Sequence, residues 1–150
     1  MKELRYTEVT DEFVKCFFDV IEKYFTAYQN LNVKLLFDNK KRISKGKIIL
    51  ANIEIPNPKM QYFQQNKDLP SGYDYIMFID KIAWDSATGD EKVNIIRHEL
   101  SHIDVDEEDD KCKLLNHDYN VFGYELDNVD WANQLAEIVL TKYEMQNKKA

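Results

Sequence analysis

Histidine is scarce in this sequence, three residues in 150, yet two of the three stand four positions apart. Glycine and proline are scarce too, at four and three residues. No long flexible linker is therefore expected, and residues 1–150 read as one domain with a single core. The two cysteines, Cys16 and Cys112, have neither paired nor metal-ligand spacing, so a reducing cytoplasm is the expectation. No apolar run has the length to cross a membrane, and the opening MKELRYTEVTDEF is too charged for a signal peptide. Positive charge is outnumbered, 20 Lys and Arg against 27 Asp and Glu, for a formal −7. That balance argues against a nucleic-acid partner held through its phosphates, which needs a basic surface.

Apolar residues make up 44% of the chain and fall into recognisable periods. Val14, Phe17, Phe18, Ile21, Tyr24, Phe25 and Tyr28 recur at three- and four-residue steps, which predicts a core helix over residues 10–28. Strands are expected at NVKLLF (32–37), at KIILANIEI (47–55) and at YDYIMFID (73–80). Residues 56–72, with three prolines and no sustained period, read as a long loop able to line a cleft. A final helix is expected over residues 128–146, with Trp131, Leu135, Ile138 and Val139 on its apolar side.

Between these elements, NIIRHELSHID spells H-E-x-x-H with His98, Glu99 and His102. A coincidental match on an exposed helix is the competing reading, and the surroundings count against it. Thr88 and Glu91 form a capping-box pair that starts a helix, and Val93, Ile96, Leu100 and Ile103 give that helix a buried stripe. Residues i and i+4 lie one turn apart on one side, so both imidazoles can face one cation, while Glu99 is rotated by about 100° and borders the same groove. The pattern suits a zinc ion that activates water beside a glutamate general base. Imidazoles also suit iron, nickel or copper.

Catalytic zinc usually takes three protein ligands, and the remaining histidine is His117, in LLNHDYNVF. Asn116 is placed to cap a short helix there, and Asp118 to orient a ligand histidine through its second ring nitrogen. Rival third ligands are Glu125, Glu137 and the tract DVDEEDD (104–110); Glu137 also reads as a carboxylate behind the ligands. As a calcium loop the tract fails, because Asp109 and Leu115 stand where Gly and Glu are required, and a solvated loop or hairpin tip is expected. Tyr75, Met77 and Ile79 default to a core strand, with a second reading as an edge that an extended substrate pairs with. Tyr119 and Tyr124 carry no assigned role.

The coupled motifs RHELSHID and NHDYNVF resemble the phage metallopeptidase family, small zincin-like proteins of phages and prophages. The correspondence runs through His98, Glu99, Leu100 and His102, then His117, Asp118 and Phe122. The resemblance implies an α+β, zincin-like domain, its small three- to four-stranded sheet packed against an N-terminal helix and the H-E-x-x-H helix. It implies one catalytic zinc on His98, His102 and His117, Glu99 as general base, and a protein or peptide substrate. SprT-like proteases, which act on DNA-associated proteins, are similar too, but Asp118 stands where they have Gly, and the chain lacks their zinc-ribbon cysteines and basic tail. A zinc-stabilised phage protein that binds and inhibits without cutting is the alternative of another class.

Overall fold

The computed structural model describes residues 4–106, 111–115 and 130–149. β1 (Tyr6–Glu8) leads into α1 (Asp11–Tyr24), whose N-cap Thr10 accepts a hydrogen bond from the Phe13 amide at 3.3 Å. α1 buries Phe13, Phe17, Val20 and Ile21, while Phe18 and Tyr24 are 58% and 39% exposed. The expected stripe was thus rotated and too long. Seven apolar positions spread over more arc than one buried face provides, and the helix stops at Tyr24, where Phe25 leaves helical geometry for a 3-10 turn at Thr26–Tyr28.

β2 (Val33–Asp38) follows as expected. The single strand expected over residues 47–55 is instead two elements. β3 (Ile43–Ser44) and β4 (Lys47–Ile48) form a small hairpin about Lys45 and Gly46, both with positive φ, and β5 (Ala51–Glu54) then joins the main sheet. The expected loop contains α2 (Pro58–Gln64), capped by the Asn57 side chain on the Met60 amide. Proline broke the period but also supplied the helix's first residue, where its missing N–H costs nothing. Gly72, at φ 74°, lies against α2 so closely that a Cβ would meet the Gln61 carbonyl oxygen at 2.7 Å.

β6 (Tyr75–Asp80), α3 (Lys81–Ser86) and α4 (Gly89–Leu100) come next, then a hairpin of β7 (Ile103–Asp106) and β8 (Lys111–Leu114), and finally α5 (Asp130–Lys149). The acidic connection thus opens as a hairpin strand, in whose backbone register Asp104 pairs with Lys113 and Asp106 with Lys111. The short helix expected at Asn116 lies outside the described residues. On α5 the buried positions are Leu135, Val139 and Tyr143, one turn apart each, and Ile138 is 48% exposed, contrary to expectation.

The main sheet has the order β1-β2-β6-β5, with β2 and β6 parallel and the outer pairs antiparallel. This is the expected α+β arrangement: a four-stranded sheet whose Leu35, Phe37, Ile53, Tyr75, Met77 and Ile79 share one core with α1 and α4. β6 is bonded on both edges and buried throughout, so Tyr75, Met77 and Ile79 offer no free edge to a peptide; the core reading of that strand holds and the substrate-edge reading is corrected. Among the described residues, no helix is long and apolar enough to cross a membrane.

Candidate metal centre

α4 begins at the expected capping box: Thr88 Oγ1 accepts from the Glu91 amide at 3.2 Å, and Glu91 Oε1 accepts from the Thr88 amide at 2.9 Å. Its buried residues are Ile95, Ile96, Glu99 and Leu100. The last turn tightens, with the Ser101 amide shared between the Arg97 and His98 carbonyls and the His102 amide bonded to Glu99 O at 3.2 Å. His102 therefore sits just past the helix end. Ile103, expected in the helical stripe, is buried as the first residue of β7, and Val93 is only partly buried.

The two imidazoles still converge. His98 Nε2 and His102 Nε2 are 3.2 Å apart, with ring planes inclined by 77°. Two nitrogens bound to one tetrahedral zinc at about 2.0–2.1 Å would stand about 3.3 Å apart, so the spacing fits that ion without rearrangement. Chemistry agrees with geometry. His102 Nδ1 lies 2.7 Å from the Leu115 carbonyl, which can only accept, so Nδ1 carries the proton and the Nε2 lone pair faces His98. Burial, with a contribution from His102, pushes His98 down to about 4, so its ring is neutral at pH 7, as a ligand must be. Glu99 is buried beside them, its Oε1 3.9 Å from His98 Nε2.

The partner of His102 is held in place by the hairpin. Leu115 N also bonds His102 O at 2.6 Å, extending the β7–β8 pairing by one step. Tyr75 OH donates to Lys113 O at 3.0 Å and Tyr28 OH donates to Ile103 O at 3.2 Å, which ties both hairpin strands to the body of the protein. Burial raises both phenols, so they remain protonated donors. The Leu115 carbonyl could not be anticipated, because a backbone group carries no residue signature. The tyrosines gave a weak signal: a hydroxyl in an otherwise apolar strand needs a partner.

Of the other expected site residues, His117 and Asp118 lie outside the described residues, as do Tyr119, Phe122, Tyr124 and Glu125. Leu115, two positions before His117, is the nearest described residue and is bonded to His102. Glu137 is exposed on α5, which packs on α3 and β4, and the structure does not bring it to the histidines. Among the described residues, no set of three or more His, Cys, Asp or Glu side chains is gathered as a metal cage. No curated protein and no solved structure matches the chain. A family model described as "Putative phage metallopeptidase" matches residues 4–141, which span the whole sheet, the H-E-x-x-H helix and most of α5, and the chain belongs to that family.

Proposed function

We propose that the protein is a zinc-dependent, zincin-like peptidase, with His98, His102 and His117 as metal ligands and Glu99 as general base. The observation that carries this reading is the 3.2 Å convergence of the two Nε2 atoms, with His102 locked in the ligating tautomer by Leu115. Bound there, zinc supplies a Lewis acid for the scissile carbonyl and lowers the pKa of water toward about 7. The Glu99 carboxylate takes the proton from the attacking water as its oxygen bonds to the carbonyl carbon. It then delivers that proton to the amine nitrogen as the C–N bond breaks. Asp118 is assigned to the second ring nitrogen of His117. Among the described residues β5 pairs only with β6, so its outer edge, on a strand that contacts α4, is the better place for an extended peptide.

Glu99→Gln tests the assignment. It keeps the shape of the side chain and removes the base, so elemental analysis should still find one zinc per chain while cleavage of an unfolded protein falls by about 10²–10⁴. His117→Ala should lose the zinc; near-stoichiometric metal in that variant overturns the third ligand. A Glu99→Gln protein with its biological effect intact would make this a binding protein that does not cut.

A further inference from the structure

The charge of this chain is laid out unevenly. Residues 39–53 contain Lys40, Lys41, Arg42, Lys45 and Lys47 and no Asp or Glu, so this segment stands at +5 and the remainder, in a chain of −7, at −12. The structure gathers these cations on the β3–β4 hairpin. Ile43 pairs with Ile48 and Ser44 with Lys47, and the Ile49 amide bonds Arg42 O at 2.8 Å. Alternation then sets Arg42, Ser44 and Lys47 on one face, with Lys45 at the tip. The other face carries Ile43 and Ile48, and Ile48 packs against the core.

The nearby acids are already engaged. Asp38 is held by Arg5 through two bonds of 3.2 Å and by the Lys40 amide, and Asp80 accepts from Tyr143 and the Ala83 amide. Among the described residues none of the five hairpin cations forms an ion pair. The hairpin joins the sheet where β6 finishes, with the Asp80 amide bonded to Leu50 O at 2.8 Å. The histidines lie toward the other end, where Tyr75 holds their hairpin.

We propose that the β3–β4 hairpin is a contact surface for the phosphate backbone of nucleic acid, made by Arg42, Lys45 and Lys47 with Lys40 and Lys41 at its base. Protein interfaces are poor in lysine and rich in aromatic residues; the outward face here offers lysine, arginine, a serine hydroxyl and exposed backbone, the groups that hold phosphates. The contact proposed is to phosphates, which carry no sequence information, so it is independent of sequence. The −12 elsewhere weakens this contact without cancelling it, because charges further away than about 8 Å are largely screened at physiological salt. The proposal does not depend on the peptidase reading.

The test is the fluorescence anisotropy of a labelled 20-base-pair DNA duplex, titrated with the full chain over a salt series. Five cations limit the slope of log affinity against log salt to about −4.5, and removing each should flatten it by about one. Lys45→Asn is informative because asparagine accepts a positive φ at least as well as lysine. The hairpin should keep its melting temperature while binding falls. Lys45→Asn with Lys47→Gln should weaken binding at least tenfold at low salt, and Lys67→Gln, exposed outside the hairpin, should leave it unchanged. Absence of binding at low salt, or equal binding by the double variant, overturns the proposal. Polyglutamate competing as well as DNA at equal charge would also overturn it, in favour of an acidic protein partner.

Discussion

The two ends of β6 use the same device for different ends. Each closes on a buried polar residue, Tyr75 at the start and Asp80 at the finish, and each sends its hydrogen bonds out of the sheet. Tyr75 donates to the hairpin that delivers the Leu115 carbonyl to His102. Asp80 accepts from the first turn of α3 at 2.9 Å and from Tyr143 of α5 at 2.5 Å, so it closes the fold far from the histidines. A strand end can position a site or fasten a helix, and the difference lies in what the bonded partner touches next. Stability and metal binding should therefore separate along one strand.

The largest effect is expected at the closing end. Asp80→Ala removes a helix cap, worth about 1 kcal/mol, and leaves the Tyr143 hydroxyl buried without an acceptor, at about 1–3 kcal/mol. A loss of about 3 kcal/mol should lower Tm by roughly 6–12 °C in a domain of this size. Zinc content and turnover per folded molecule should not change. A fall in either would show that the two ends are coupled. Tyr75→Phe should do the reverse. One lost hydrogen bond costs about 1 kcal/mol, but the hairpin loosens behind His102, and zinc affinity in a chelator competition should drop by roughly three- to tenfold, below the 10–100-fold of a direct partner. Unchanged affinity would mean that Tyr28 and the β7–β8 pairing hold Leu115 unaided.

Local chemistry was legible in the sequence, and long-range closure was not. The Thr88–Glu91 box, the H-E-x-x-H spacing and the strands β2 and β6 all depend on neighbours a few residues apart, and the structure has them. Ile103 misled because a three-residue step from Leu100 looks helical, whereas the chain had already turned at Ser101. The break between β4 and β5 was hidden inside an apolar run, since nothing in KIILANIEI says that residues 49 and 50 leave one sheet for another. Net charge is likewise an average: a total of −7 contains a segment of +5. The group that orients His102 is the Leu115 carbonyl, and a carbonyl, which every residue possesses, leaves no mark in a sequence.

The finest test of the closing end is its pH dependence. Burial raises the pKa of Asp80, and the neighbouring Asp38 adds to this, while the bonds from Tyr143 and Ala83 only partly offset them. A carboxyl whose pKa is higher folded than unfolded, where it is about 3.9, is favoured by folding in its protonated form. Its contribution is complete below the unfolded pKa and is lost as pH rises through the folded one. Asp80→Asn keeps a neutral group of the same shape, with an oxygen for the Ala83 amide, and removes the titration. The variant should therefore gain stability relative to the parent as pH rises from about 4 toward 7 in urea unfolding, by less than the Asp80→Ala effect. A relative stability that falls over that range would mean that the bonds from Tyr143 and Ala83 to the charged carboxylate outweigh its burial.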